Sequence, residues 1–329
     1  MNHKMDSRLE HFRGITAEDL AQVEKTMHCV LASDIRMVDK VVRYIVKHKG
    51  KSLRPILTLM CARLFGKPGE EAVKVAVIVE LLHTATLVHD DVVDDSKIRR
   101  GFPSINAIWK NKVSVLVGDY LLAKALTEML EIRDFEVLDI LSRSARRMSR
   151  GELLQIAKAR KLDITESIYF DMIGDKTAAL FSACCELAAI TSKRDGVERD
   201  NLRNFGEKIG LAFQIRDDVL DYEGRRSIIG KPTLEDIKDR KITLPLIQAI
   251  RVSQKTEGRR IIKMINRGIK SNDRKEVMDF IDTHQGLNYA KDVAMQLKED
   301  ALSYLSVFPA TVERQTLMDF ADFSVERMK

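Results

Sequence analysis

The sequence predicts an all-α fold, on three observations. No proline falls between Pro103 and Pro232, a span rich in Leu, Ala, Glu, Lys, Met and Arg. That composition favours long helices, because proline breaks a helix interior while those side chains lose little freedom within it. Apolar residues recur at helical spacing along almost the whole chain, and the two-residue alternation of a half-buried strand is absent. Turn signals at 66–69, 101–103, 195–196, 224 and 230–232 never amount to a Gly/Ser/Pro linker, so residues 1–329 read as a single domain. With 45% hydrophobic and 32% charged residues, 329 residues suffice for a large core and exclude a disordered chain.

In chain order, "MNHKMDSRLEHFRG" at the N-terminus is charged throughout and lacks the apolar centre of a secretory signal or membrane anchor. "EAVKVAVIVELLHTATLVHDDVVDD" (71–95) is too densely apolar for a surface helix, which predicts a buried central one. Similar patterns predict helices over 113–130, 177–190 and 201–222, and amphipathic helices continue beyond Arg251. No solenoid repeat occurs, and no apolar run approaches the ~18 residues of a membrane-spanning helix.

These features predict a soluble protein. Four cysteines, Cys29, Cys61, Cys184 and Cys185, show no CxxC spacing and fit a reducing cytoplasm. A net charge of +6 admits nucleic acid, anionic lipid or an anionic substrate as partner. The clusters "RRMSR" (146–150) and "KARK" (158–161) lack interleaved aromatics, and aromatic residues make up 6% of the chain, so these clusters read as solvated helix faces and nucleic acid is not expected.

The chemistry concentrates in "LVHDDVVDDSKIRRG" (87–101), where Asp90, Asp91, Asp94 and Asp95 follow an apolar run and precede Arg99 and Arg100. At about 100° per residue, Asp90, Asp91 and Asp94 share an arc of about 100° on one helix. Like charges that close raise one another's pKa unless a cation lies between them. Carboxylates one turn apart suit Mg²⁺, which keeps several waters and takes its other ligands from a phosphorylated substrate. A solvated helix end would explain one such cluster, but "FQIRDDVLDY" repeats the spacing at Asp217, Asp218 and Asp221. Two acidic clusters can bracket one diphosphate if the helix connections bring both to one cavity, which the sequence leaves open.

The ordered motifs "KGKSLRP" (49–55), "ELLHTATLVHDDVVDDSKIRRG" (80–101), "DKTAALF" (175–181), "FQIRDDVLDY" (213–222) and "GKPTLEDIKDRKITLPL" (230–246) resemble those of the trans-isoprenyl diphosphate synthases. Lys49 stands where that family often has a first glycine, and Ser52 where many members have arginine. The resemblance implies the isoprenoid-synthase helical bundle around a central cavity, a homodimer, and Mg²⁺-dependent condensation of isopentenyl diphosphate with an allylic diphosphate. Lys51, Arg54, His83 and Arg100 match positions that grip the isopentenyl diphosphate. The allylic diphosphate is implied to be held by about three Mg²⁺ on Asp90, Asp94 and Asp217, with Asp91, Asp218 and Asp221 supporting. Arg99, Lys176, Lys231 and Lys241 match its cationic ligands, and Thr177 and Gln214 match positions whose oxygens face the carbocation. Taken singly, His83 would be a core histidine, Lys176 or Lys241 surface charge, and Thr177 and Gln214 ordinary helix packing.

A class I terpene cyclase normally carries Asn, Ser or Thr with Glu in its second metal motif, and a non-catalytic subunit of a two-component synthase typically loses an aspartate motif. Neither fits a chain with both DDxxD motifs and "GKSLRP". Product length is a matter of room. Five residues before Asp90 stands the small Ala85, preceded by Leu82, Leu81 and Ile78, where makers of fifteen- or twenty-carbon products usually place an aromatic. Since one helical turn rises about 5.4 Å, near the length of one isoprene unit, a deep tunnel and a product of about thirty to fifty carbons are expected. The resemblance points to a quinone tail as its use, in the cytoplasm with at most peripheral membrane contact.

Overall fold

A computed structural model describes residues 2–223, 234–270 and 273–326. The helices run α1 (Asn2–Ile15), α2 (Ala17–Leu31), α3 (Arg36–Lys47), α4 (Leu53–Arg63), α5 (Glu70–Val93), α6 (Ile105–Ile132), α7 (Phe135–Lys161) and α8 (Glu166–Ile173). A π-helical turn, Gly174–Ala178, leads into α9 (Ala179–Thr191), followed by α10 (Val197–Glu223), α11 (Glu235–Lys238), α12 (Leu244–Val252), α13 (Lys255–Asn266), α14 (Asp273–Thr283), α15 (Gly286–Tyr304) and α16 (Val312–Val325). The all-α expectation holds. Among the described residues the departure from it is a two-residue antiparallel pair, β1 (Ile98–Arg99) with β2 (Phe102–Pro103), closed by Arg100 and Gly101. Both turn residues have positive φ, 55° and 82°. That is the conformation a two-residue hairpin demands and one that normally selects Asn or Gly, so Arg100 holds a mildly strained backbone.

The chain divides into two compact units: 1–143, 183–203 and 308–317 form unit 1, and 144–182, 204–307 and 318–329 form unit 2. Unit 1 is organised on α5, which packs on α6, α4 and α2. From Ala72 to Leu82 nearly every side chain of α5 is buried, each aliphatic one contributing about 1.5–3 kcal/mol. Gly69 caps its start, with Glu70 and Glu71 at the positive end of the helix dipole. By length and composition α5 matches a membrane span, although charged residues interrupt its sequence; 67% of its most apolar window is buried in protein, which makes it a core helix. Unit 2 gathers α12 against α15, α13, α14 and α8, around buried residues such as Tyr169, Ile215, Leu246 and Ile281. Pro245 sits in the first turn of α12, where its missing N–H costs nothing.

Candidate functional site

In unit 1 the acidic residues lie at the C-terminal end of α5. Asp91 is buried, Asp90 half-buried and Asp94 exposed. The Arg99 guanidinium donates from Nε and Nη2 to Asp91 Oδ1 at 2.8 and 2.5 Å, and Asn106 Nδ2 donates to the Asp91 carbonyl at 3.0 Å. The middle aspartate therefore carries its own counter-charge. Arg100 lies across Gly50: a Cβ there would fall 2.4 Å from the guanidinium carbon, so "KGK" needs its glycine for close approach. His83, half-buried beside Arg54, Arg100 and Arg99, has its pKa pushed well below the usual value, first by desolvation and then by those cations. Both causes favour the uncharged ring, which offers one N–H. Glu80, one turn earlier, has its pKa raised by burial against the opposing pull of Arg54, Arg100 and Lys49. Lys51 is half-buried, and its carbonyl accepts from Arg13 Nη2 at 3.5 Å. The hairpin that carries both arginines is clamped by α3 and its C-cap: Tyr44 OH donates to the Pro103 carbonyl at 2.7 Å, and the His48 and Phe102 rings meet at 4.2 Å, tilted by 51°.

In unit 2 the π-helical turn presents Asp175, Lys176 and Thr177. Two glycines make room for it, since a Cβ on Gly151 of α7 would meet Lys176 N at 2.5 Å and one on Gly210 of α10 would meet Ala178 Cα at 2.5 Å. Such turns are a recurrent feature of functional sites. Thr177 Oγ1 donates to Gln214 Oε1 at 2.7 Å, Gln214 Nε2 donates to Asp218 Oδ1 at 2.8 Å, and Tyr169 OH donates to Asp218 Oδ2 at 2.5 Å. Burial pushes Asp218 up to about 8, and Asp236 adds to it against the hydrogen bonds from Tyr169 and Gln214. Asp236 itself is raised to about 6 by burial and Asp221, with Lys241 and Lys176 pulling it down. The Asp236 N–H donates to Asp221 Oδ2 at 3.1 Å. Lys176 pairs with Glu152 at 2.5 Å, and Lys241 lies 3.6 Å from Asp239. Asp217 is exposed, with Nη1 of the wholly buried Arg216 at 3.6 Å. Lys231 lies outside the described residues.

Four features escaped the sequence reading: Asp236 within a motif already singled out, Tyr169 on Asp218, the glycines that admit the π turn, and Arg216, whose guanidinium nitrogens have no hydrogen-bond partner among the described residues. Arg147 and Arg150, read as solvated charge, both bond Asp175, and Arg147 also bonds Glu207 at 2.7 Å. Of the four residues expected to set product length, all are buried, and Leu81 lines a cavity toward α2 whose walls do not include Ile78, Leu82 or Ala85.

Divalent metal fits both acidic ends. Carboxylates at a helix C-terminus lie in the negative end of the dipole, and neither α5 nor α10 has a basic residue in its last turn. Among the described residues no three His, Cys, Asp or Glu side chains converge into a preformed metal cage.

The family model for polyprenyl synthetase matches residues 35–282. The octaprenyl diphosphate synthase of Escherichia coli K12 is 34% identical over 97% of this chain and 99% of its own. The crystal structure of a decaprenyl diphosphate synthase from Rhodobacter capsulatus superimposes with a TM-score of 0.92 at 38% identity, over 98% of this chain and 99% of that one. A polyprenyl synthase from Caulobacter crescentus CB15, solved with calcium and isoprenyl diphosphate, gives 0.90 at 35% identity over 98% of each chain.

Proposed function

The chain belongs to the polyprenyl synthetase family of prenyltransferases, as a trans-isoprenyl diphosphate synthase of the long-chain type, and from that premise we propose how its residues divide the work. It extends an allylic diphosphate by successive head-to-tail additions of isopentenyl diphosphate to about thirty to fifty carbons, for use as a quinone tail. The observation that carries the division is the pair of acid-tipped helices, α5 and α10, each without a basic residue in its last turn.

Asp90, Asp94 and Asp217 would hold about three Mg²⁺, with Asp91, Asp218 and Asp221 behind them. When bound, Mg²⁺ neutralises charge that gathers on the departing pyrophosphate. Lys176, Lys231, Lys241 and Arg99 hold the allylic diphosphate. Lys51, Arg54 and Arg100 grip isopentenyl diphosphate as charged donors, and His83 adds a ring N–H. Thr177 and Gln214, fixed by the hydrogen-bond run that ends on Asp218, turn oxygen dipoles toward the allylic cation. The isopentenyl double bond attacks that cation, and the released pyrophosphate takes the proton, so no side chain need act as base.

Residues 1–329 work as a single synthase domain, since the family match draws on both units. The homodimer reading is supported by the exposed apolar face of α6, where Val115, Leu116, Leu126 and Leu130 lead to Phe135, 87% exposed. The purified chain alone, given radiolabelled isopentenyl diphosphate and a primer, should elongate in Mg²⁺ and stop in chelator. Chromatography of the dephosphorylated products should give about thirty to fifty carbons. Fifteen- or twenty-carbon products would make it a short-chain enzyme, cyclised hydrocarbon a cyclase, and no turnover a subunit.

A further inference from the structure

The π turn in unit 2 needs something to hold it. A backbone that closes five residues on, rather than four, is rare and gives up the regular hydrogen bonding of the α-helices on either side. Here the Gly174 carbonyl accepts from the Ala179 N–H, five residues on, and again from Arg147 Nη2 at 3.1 Å. The same guanidinium donates from Nε to Asp175 Oδ1 at 2.8 Å, and from Nη1 and Nη2 to the Glu207 carboxylate at 3.2 and 2.7 Å. One side chain of α7 therefore ties the first carbonyl of the turn and its carboxylate to α10, through the planar fork that arginine alone provides. Arg150, nearly one turn on, brings a second cation to Asp175. Asp175 is buried and Arg147 half-buried, so this pair is less loosened by solvent than an exposed one.

The turn carries two residues of the reaction, aimed at different helices. Lys176 Nζ reaches α7, 2.5 Å from Glu152 and 3.3 Å from Gln155 Oε1, while Thr177 Oγ1 reaches Gln214 of α10. Gly151 and Gly210 leave room on both sides, but a missing side chain makes no bond. Arg147 makes four. We propose that Arg147 is a positioning residue for prenyl transfer: through Gly174 and Asp175 it fixes the turn so that Lys176 meets the allylic diphosphate and Thr177 the developing cation. This role rests on the function proposed above, which puts those two residues at the allylic substrate. Arg147 acts through the turn, so its loss is felt at the allylic site and not at the isopentenyl site.

The test titrates the full chain, in Mg²⁺, with geranyl thiolodiphosphate, an allylic analogue that resists ionisation, and separately with isopentenyl diphosphate, each by calorimetry. Arg147→Met removes every donor at similar length. It should weaken the analogue about tenfold, lower kcat about a hundredfold and leave isopentenyl diphosphate binding unchanged. Lys176→Ala should weaken the analogue at least as much, and the double variant should bind it no more weakly than Lys176→Ala alone, because no ammonium group is then left to position. A side chain that only supports the fold would weaken both ligands and add to the Lys176→Ala loss. Arg147→Lys keeps the charge without the fork and should weaken the analogue about threefold, which decides the matter should the Met variant misfold. Wild-type analogue binding in a folded Arg147 variant, equal weakening of both ligands, or an additive double variant overturns the positioning role alone. Wild-type analogue binding by Lys176→Ala instead overturns the placement of Lys176 in the proposed function, and the role of Arg147 falls with it.

Discussion

At the tip of α5 and the tip of α10 the same five-letter pattern sits in two different electrostatic settings. On α5 the buried middle aspartate, Asp91, is bonded through two nitrogens to Arg99 from the hairpin. On α10 the buried middle aspartate, Asp218, has only the neutral donors Tyr169 and Gln214, and burial with Asp236 lifts it to about 8. The middle aspartate of one tip carries a bonded counter-charge from its own chain, while that of the other shares its buried space with a second carboxyl group, Asp236. The shared DDxxD motif thus fixes the spacing of the ligands without fixing their charge balance, which comes from neighbours outside it: Arg99 for Asp91, and Tyr169, Gln214 and Asp236 for Asp218.

The largest effect should come from the outer aspartates. Asp90→Ala and Asp217→Ala each delete a carboxylate facing the proposed metal and should slow turnover by about a thousandfold or more, with circular dichroism and melting temperature close to wild type. Steady-state rates at saturating Mg²⁺ check this. If one variant turned over normally, the two tips would not share the reaction, and the comparison would reduce to one functional cluster and one structural one.

A smaller effect separates the middle aspartates. Arg99→Ala leaves the Asp91 carboxylate buried without a bonded charge and should cost about 2–3 kcal/mol of stability, moderated because Arg99 itself is 38% exposed. Tyr169→Phe removes one of two donors from Asp218 and should cost about 1 kcal/mol. Chemical denaturation of both variants measures the difference. Equal costs would mean that the hairpin arginine contributes no more than a neutral hydroxyl, and the asymmetry between the tips would be unimportant.

How much of this was legible follows the same division. The helices, the buried centre of α5 and both acidic tips came from periodicity and short-range spacing, which a chain displays directly. The hairpin did not, because two residues per strand are too few to alternate and Arg100 is an unusual occupant of a left-handed turn position. The π turn was hidden as well: its register depends on Gly151 and Gly210 in other helices, and a glycine inside a helical pattern reads only as a weak point until its neighbour is known. Asp236 and Tyr169 belong to the site through tertiary proximity to Asp218 and Asp221, which no spacing along the chain announces.

The next contrast lies five residues before each tip, where both helices carry alanine. Ala212 is fully buried within the hydrophobic cluster of unit 2, and Ala85 is buried on α5. Overpacking costs about 1–3 kcal/mol wherever a site cannot yield, so Ala212→Tyr should mainly destabilise. Ala85→Tyr should instead keep primer turnover and shift the main product to about fifteen or twenty carbons, if the tunnel runs along α5 as its rise per turn suggests. Product chromatography decides. Wild-type chain length from a folded Ala85→Tyr enzyme would remove the wall placed there.

The smallest effect should come from Gly50→Ala. Of the close-packed glycines, Gly151 and Gly210 face backbone atoms, whereas Gly50 faces the movable end of Arg100. A methyl group on Gly151 or Gly210 must push a helix, but one on Gly50 need only displace a guanidinium with several rotatable bonds behind it. Stability should therefore change by less than about 0.5 kcal/mol, as for most substitutions outside the core. What should move is the position of Arg100, and with it the KM for isopentenyl diphosphate, upward by about three- to tenfold, with the KM for the allylic primer unchanged. Because Arg99 is anchored on Asp91 and does not touch Gly50, an equal rise in both KM values would mean that the two adjacent arginines serve the same substrate.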